Sequence, residues 1–223
     1  VVAGPGNRYV NEAKRQLWGT VGLDGYAGPS EVCVLVDETT DAKFAAADLL
    51  TQIEHAPDNA GFLVSTDEAK LGEVFSEVDR QLDLAPRGSI MRTALLGDSL
   101  AFLATDLAQA CEIVNAIAPE HLSVACKAPE DVLSKIRNAG CVLLGEWSPE
   151  SAGDYAAGPS HTLPTSGAAR FGSPVNVLQF MKIQSVVNLQ REQLSKLAPV
   201  IQTLGRIEGF PAHAYGAAAR FED

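Results

Sequence analysis

The stretch Val32-Cys33-Val34-Leu35-Val36-Asp37, residues 32–37, is a continuous apolar run that ends in an acidic residue. Half of its residues are valine, which favours extended backbone because its branched side chain packs well on a pleated surface. A run of this length without polar alternation is typical of a strand buried on both faces, as in a parallel sheet covered by helices. The stretch therefore predicts a buried strand of such a sheet.

The sequence that follows this run alternates between helical and strand-like segments. Thr40 or Asp41 is placed to cap the next helix, which we expect to extend to about His55. Strands that alternate with helices of this length imply βαβ units, and hence an α/β fold with helices on both faces of a parallel sheet. The later segments predict helices at 67–83, 106–117 and 129–138, and strands at 61–64, 100–104, 121–126 and 140–145.

The two ends of the chain have a different texture. Residues 7–18 show helical periodicity, and residues 1–7 resemble a strand end entering a turn, so we expect further sequence upstream. Residues 147–174 are rich in Gly, Pro and Ser and predict a long loop, a feature that is often functional in a compact domain. The tail predicts a strand at 183–187, a helix at 190–205 and a last helix after Pro211.

The net charge indicates which partners the chain would not bind, and the cysteines indicate where it would be located. The net charge is −11 and the sequence pI is near 4.8, so the surface would repel a nucleic-acid backbone. No apolar run is long enough to span a bilayer, and we therefore expect no membrane partner. The four cysteines form no CxxC pair, which favours buried, reduced thiols and a cytoplasmic location.

Two of the four histidines lie beside residues with metal-binding or proton-transfer chemistry. Gln52 and His55 are three apart on a predicted helix, so both side chains would share one face and offer an oxygen and a nitrogen to a divalent ion. The plainer alternative is an exposed helix end. Glu120 and His121 stand together at the start of a predicted strand, where they offer two proton-transfer groups. The plainer alternative is an exposed polar pair.

The other two histidines lie in less regular sequence. Asp154 and His161 fall in the predicted loop and offer an oxygen and a nitrogen ligand, although loop residues of these types more often form turns. His213 follows Pro211 near the end of the chain, with Glu208 just before it, and a histidine near a chain end is usually solvated. The sequence contains no HExxH motif, so it does not support a thermolysin-type protease, and it contains neither a GxSxG nor a P-loop motif.

Taken together and in order, these segments resemble the histidinol dehydrogenase family. The resemblance covers essentially the whole chain, and several of its motifs are long and peculiar to that family. They are Gly4-Pro5-Gly6-Asn7 through Gln16, Ala27-Gly28-Pro29-Ser30-Glu31-Val32, Asp48 through His55, Pro119-Glu120-His121-Leu122, Gly145 with Trp147 through Tyr155, and His161 with Leu163-Pro164-Thr165.

The resemblance implies a role for each candidate residue. The implied Zn²⁺ ligands are Gln52, His55, Asp154 and His213. The implied catalytic acid–base pair is Glu120 and His121. The implied substrate contacts are Ser30, His161 and Glu208, together with His121 and the four zinc ligands, and Asn7 is implied to lie near NAD.

The resemblance also implies an activity and an assembly. Members oxidise L-histidinol through L-histidinal to L-histidine with NAD, as homodimers in which Glu208 and His213 reach the partner's site. The fold implied is an incomplete Rossmann-like parallel sheet with flanking helices and a small helical C-terminal tail domain. Its expected parts are a nucleotide-side remnant at 1–30, a metal and substrate domain at 31–173, and a tail domain at 174–223.

Two other functions remain open at this level. Because family members extend far upstream and hold most of the NAD pocket there, the chain is alternatively a zinc- and histidinol-binding module that does not oxidise its ligand. A zinc hydrolase that uses Glu120 and a metal-bound water is the weaker alternative, because four protein ligands leave little room for that water.

Overall fold

The computed structural model describes residues 1–4 and 6–222, so Pro5 of the predicted N-terminal turn lies outside the described residues. The chain divides into two compact units, of which the first covers Val1–Met181 and the second begins at Lys182. The sequence-based domain boundaries at residues 30 and 173 stay a prediction.

The first unit is built on a parallel sheet flanked by helices, which confirms the predicted α/β class. Its strands are β1 (Glu31–Val36), β2 (Ala60–Ser65), β3 (Leu100–Leu103), β4 (His121–Ala125) and β5 (Cys141–Leu144), in the spatial order β3-β2-β1-β4-β5. Its helices are α1 (Arg8–Leu17), α2 (Ala42–Ile53), α3 (Glu68–Leu84), α4 (Gly88–Leu96), α5 (Leu107–Ile117), α6 (Pro129–Leu133) and α7 (Glu150–Tyr155).

The apolar run that predicted a two-sided strand is the central strand β1, and all of its residues from Val32 onward are fully buried. Val32, Val34 and Val36 pack with side chains of α2, α3 and α4 on one face of the sheet. Cys33 and Leu35 pack with side chains of α5 and α6 on the other face. Alternate residues of β1 therefore hold the two helical layers together, as expected from the two-residue repeat of a strand.

Four local predictions need correction. Helix α4 occupies residues that the sequence pattern left unassigned, and α6 ends at Leu133 rather than near residue 138. Helix α7 lies inside the predicted 147–174 loop and begins directly after Pro149, a residue suited to a helix start. No described strand pairs with residues 183–187, and Ile183 is almost wholly exposed, so an apolar run alone does not make a strand without a partner.

A further correction concerns the end of α2. This helix ends at Ile53, and Glu54 is its C-cap, so His55 lies beyond the helix and does not share a face with Gln52. The Asn59 side-chain amide donates to the Gln52 backbone carbonyl at 2.7 Å, which satisfies a carbonyl that the helix leaves free. Gln52 is buried, whereas His55 is exposed.

The second unit contains α8 (Arg191–Ile207) and α9 (Pro211–Ala218), which pack against each other. The contact is close at Gly205, where an added Cβ would lie 2.8 Å from the backbone nitrogen of Ala214. Over the described residues, none of the helices is both long and apolar enough to cross a membrane.

Candidate active and metal-binding site

The predicted acid–base pair lies at the amino ends of the central strands. His121 is the first residue of β4 and is paired in register with Val32 of β1, and Glu120 directly precedes it. Helix α2 packs on the sheet and brings Gln52, near its carboxyl end, to the same edge. Open α/β sheets usually bind ligands at the carboxyl ends of their strands. Glu120, His121 and Gln52 therefore lie at the opposite ends of the strands from the usual ligand site.

The His121 ring is buried between acceptors on both sides. Its Nε2 lies 3.3 Å from Asp154 Oδ1. Its Nδ1 lies 3.4 Å from the Glu31 carbonyl oxygen, 3.5 Å from Glu150 Oε1 and 3.7 Å from Glu120 Oε2. Burial alone would lower the His121 pKa, but the close approach of the Glu120 carboxylate and the charges of Glu150 and Asp154 outweigh it and raise the pKa to about 9.

Glu120 is held by backbone groups of the neighbouring strands. Its Oε2 accepts the Glu31 backbone N–H at 2.9 Å, and its carbonyl oxygen accepts the Cys141 N–H at 2.8 Å. Ala118, which ends α5 in the left-handed region at φ 54°, turns the chain sharply just before Glu120. This turn allows the helix to pass directly into β4 and leaves the Glu120 side chain buried at the strand entrance.

A second buried carboxylate, that of Glu150, lies on the other side of His121. Glu150 is the first residue of α7 and is 0% exposed. Burial, as the largest cause, raises its pKa to about 8, while the His121 charge and the Gln52 amide oppose that rise. Gln52 Nε2 donates to Glu150 Oε1 and, at 3.0 Å, to Asp154 Oδ2. Gln52 thus links the two carboxylates.

This cluster has the chemistry of a divalent-cation site. Ligand atoms of His121, Glu150 and Asp154 all lie within 4.8 Å of one another. Imidazole nitrogen and carboxylate oxygen are ordinary zinc ligands. The Glu150 Oε2 atom is also buried without a hydrogen-bond partner among the described residues, which leaves a buried polar oxygen uncompensated. A bound cation would offset that cost, so the residues present fit a metal.

The predicted zinc ligands are only partly brought together. Gln52 and Asp154 are in contact within the cluster. His55 is exposed, and its Nδ1 lies 3.2 Å from the backbone carbonyl oxygen of Gln52. His213 belongs to the second unit, where it is exposed beside the Phe210 ring at a centroid distance of 5.4 Å. The complete ligand set therefore stays a prediction.

The residues predicted to contact the substrate and the nucleotide lie in several different parts of the structure. The Ser30 backbone N–H donates to Asn59 Oδ1 at 3.1 Å, and Ser30 adjoins the site through Glu31. His161 is exposed in the segment after α7, and Glu208 is exposed in the second unit. Asn7 is the N-cap of α1, and its Oδ1 accepts the backbone N–H groups of Tyr9 and Val10 at 3.0 Å each.

Several residues of the cluster were not predicted as functional. Glu31 lies at the start of β1, where its Oε1 accepts the Ser166 N–H at 2.9 Å. Burial and the Glu120 charge raise the Glu31 pKa to about 7, against the effect of the Ser166 hydrogen bond. Glu150 follows Pro149 in the sequence, a weak sign of a helix start. Its burial depends on contacts with residues about a hundred positions away, which the sequence pattern does not display.

These features define the class of the protein: an α/β chain with a parallel sheet and a buried imidazole–carboxylate site suited to proton transfer beside a cation. The sequence model of the histidinol dehydrogenase family matches residues 1–221. Histidinol dehydrogenase of Heliobacterium mobile is 46% identical over 221 residues, which are 99% of this chain and 52% of that protein. Histidinol dehydrogenase of Thermus thermophilus is 47% identical over 213 residues, which are 96% of this chain and 52% of that protein.

The crystal structure of histidinol dehydrogenase from Elizabethkingia anophelis superposes with a TM-score of 0.90 at 40% identity. The match covers 98% of this chain and 51% of that one. The chain belongs to the histidinol dehydrogenase family. It spans about half the length of the curated relatives it matches.

Proposed function

We propose that this chain is the metal- and substrate-binding half of a zinc-dependent histidinol dehydrogenase, which oxidises L-histidinol through L-histidinal to L-histidine with NAD. The observation that carries the proposal is the buried cluster around His121, in a chain of this family. Glu120, Glu150 and Asp154 place three carboxylates within 4 Å of one imidazole. L-Histidinol carries an ammonium group, so both the substrate and a metal ion would find complementary charge there.

The two central residues divide the proton transfers between them. In the first step His121, in its neutral form, takes the proton of the substrate hydroxyl, and the carboxylates around the ring stabilise the imidazolium that results. A cation bound beside the ring would favour the neutral form at the start of this step, because two like charges disfavour each other. In the second step Glu120 takes a proton from the water that attacks the aldehyde. Its carboxylate is already held by the Glu31 N–H, so little reorganisation is needed. Both side chains are buried, which limits competing reactions with bulk water.

Zinc and NAD would be held by residues of this chain and of a partner. We propose that Gln52, His55 and Asp154, with the partner subunit's His213, hold zinc, which would orient the substrate as a Lewis acid. NAD would accept one hydride in each of the two oxidation steps, so two NAD would be reduced per substrate. The side-chain oxygen of Asn7 caps α1, so the side-chain amide nitrogen is the atom left to face the nucleotide. Ser30, His161 and the partner's Glu208 complete the proposed substrate contacts, and the proposed location is the cytoplasm.

A second candidate function is a zinc- and histidinol-binding module that does not oxidise its ligand. It is favoured by one observation, that the cluster around His121 offers complementary charge to a cation and an amine without any nucleotide group. In that case the cluster would still bind a cation and an amine, but hydride transfer would have no complete nucleotide site. The two candidates predict the same metal affinity and differ in turnover.

The deciding experiment measures zinc binding and NADH formation from L-histidinol on the same sample. A full-length relative assayed in parallel provides the positive control. NADH formation that is lost in His121→Asn supports the dehydrogenase. Zinc and histidinol binding without NADH supports the module. Failure to bind either ligand in a folded sample contradicts both candidates.

A further inference from the structure

Glu150 is a buried acidic residue beside His121 that the proton transfers leave unused, and contacts among α7, α2 and β4 fix it in place. Its backbone N–H at the start of α7 donates to Asp48 Oδ1 of α2 at 3.2 Å. Asp48 Oδ2 in turn accepts the Ser123 hydroxyl of β4 at 2.7 Å. The start of α7 is thereby tied to the helix that carries Gln52 and to the strand that begins with His121.

The Glu150 side chain makes contacts with two residues of the proposed site. Its Oε1 accepts one amide hydrogen of Gln52 and lies 3.5 Å from His121 Nδ1. The Gln52 amide also donates to Asp154 Oδ2 at 3.0 Å. A carboxamide has only two such hydrogens, so both are used. The Gln52 carbonyl oxygen is then the atom left to bind a cation.

We propose that Glu150 is a positioning residue that fixes the orientation of the Gln52 amide and the His121 ring, so that Gln52 presents its oxygen to the metal. The inference rests on the proposed function, because it takes Gln52 and Asp154 as zinc ligands. Metal ligands commonly depend on such hydrogen-bonded neighbours, whose loss weakens metal binding by about 10- to 100-fold.

The cost of burying Glu150 argues against a purely structural role. The residue is 0% exposed, and its Oε2 has no hydrogen-bond partner among the described residues. A buried polar oxygen without a hydrogen-bond partner destabilises a fold, so stability alone does not explain a carboxyl group at this position. A functional role therefore predicts weaker metal binding without a matching loss of stability.

The test compares Glu150→Gln and Glu150→Ala with Glu130→Gln, an exposed acid in the first turn of another short helix. Zinc affinity is measured on the intact chain by competition with a chromophoric chelator, and stability by urea unfolding. We expect about 100-fold weaker binding for Glu150→Ala and about 10-fold for Glu150→Gln, which keeps an acceptor for Gln52. Glu130→Gln should bind like the unmodified chain.

A double-mutant cycle with Gln52→Ala tests whether Glu150 acts through Gln52. If it does, the two losses of zinc affinity will not add, because Glu150 has nothing to orient once the amide is gone. The visible spectrum of bound Co²⁺ should also change in both Glu150 variants, as it reports ligand geometry. If Glu150→Ala fails to fold, Glu150→Gln decides the matter by the same measurements.

The outcomes separate the inference from the proposed function. If the unmodified chain binds zinc and the Glu150 variants bind it equally well with unchanged Co²⁺ spectra, the inference is wrong and the proposed metal site stands. Fully additive losses with Gln52→Ala would also overturn it. If the unmodified chain binds no zinc, the proposed metal site fails and the inference fails with it.

Discussion

At the amino ends of β1 and β4, acidic side chains are held away from water although burial opposes their charge. Burial is the largest cause that raises the pKa of Glu31 to about 7 and that of Glu150 to about 8. The neighbouring carboxylates in turn hold the His121 pKa near 9, against the effect of its own burial. The cluster therefore gains negative charge as the pH rises through neutrality, which favours cation binding on the alkaline side.

Glu31 allows the effect of a buried carboxylate on the unfolding free energy to be measured. Its pKa rises from 4.5 to about 7 on folding, so between pH 4.5 and about 7 the folded chain holds a proton that the unfolded chain releases. The free energy of unfolding therefore falls as the pH increases through this range. Glu31→Gln removes this loss and keeps an acceptor for the Ser166 N–H. We expect the variant to gain relative stability between pH 5 and 7, by at most about 3 kcal/mol, in urea unfolding.

The control for this prediction is Glu112→Gln, which changes an exposed acid on α5. Its unfolding free energy should follow that of the unmodified chain at each pH. A Glu31→Gln variant whose stability difference stays constant from pH 5 to 7 would contradict the assigned pKa shift.

Gly140 sets how closely β5 can approach the Glu120 backbone. A Cβ there would lie 2.6 Å from the Glu120 carbonyl oxygen and 3.1 Å from Pro164 Cδ. Gly140→Ala must push the backbone of the proposed acid–base pair aside, and we expect a loss of about 2 kcal/mol in unfolding free energy together with weaker zinc binding.

Gly72 is the matched control, because it lies inside α3 and a Cβ there would meet no atom within 4 Å. Gly72→Ala should stabilise the chain by about 0.5–1 kcal/mol through the lower helix cost of alanine, with zinc binding unchanged. Equal stability of the Gly140→Ala variant and the unmodified chain would show that β5 can shift without cost.

At the scale of single elements, α2 supports the side of the cluster that carries Gln52, a proposed metal ligand. Leu49, Leu50 and Ile53 bury its inner face in the core, which fixes the helix along its length. Gln52 lies near one end of α2, while the cap residue Asp41 lies at the other and accepts the Lys43 N–H at 2.8 Å. Variants of the cap residue should therefore lower the unfolding free energy without changing the geometry around Gln52.

Asp41→Ala removes the N-cap of α2 and should cost about 1 kcal/mol of unfolding free energy. Asp41→Asn should cost much less, because asparagine also caps helices well. Zinc affinity should be the same in both variants, since the core contacts near Gln52 are untouched. A loss of zinc affinity in Asp41→Ala beyond its unfolded fraction would show that the whole helix, rather than its end, sets the site.

Local patterns predicted the elements better than the site. Apolar runs and cap residues gave the strands and most helices, because those signals are carried by neighbouring residues. The Glu120-His121 pair was predicted as a candidate from its position before a strand. The contacts of Glu150 with Gln52 and Asp48 were not predictable from pattern, because they join residues that are 98 and 102 positions apart. They depend on how α7 packs against α2.

At the scale of the whole molecule, the second unit exposes a large apolar surface. Ile183 is 99% exposed, and Val186, Val187, Val200 and Ile207 are each more than half exposed. Exposed apolar side chains become characteristic of an interaction site where they adjoin one another, as Val186 and Val187 do along the chain. The same unit carries Glu208 and His213, which the family resemblance assigns to the site of a partner subunit. We therefore expect the chain to form a homodimer with composite sites.

Mixing two defective variants tests this assembly. In a composite dimer, His213→Ala lacks the ligand donated to the partner, and Asp154→Ala lacks the ligand in its own cluster. A mixed dimer then contains one site with both residues intact. After random subunit exchange, half of the dimers are mixed, so about a quarter of all sites should regain tight zinc binding. Each variant alone should bind zinc weakly, and size-exclusion chromatography with light scattering should report a dimer throughout. If the mixture binds no more tightly than the two variants measured separately, all the ligands come from one chain and His213 does not act across an interface.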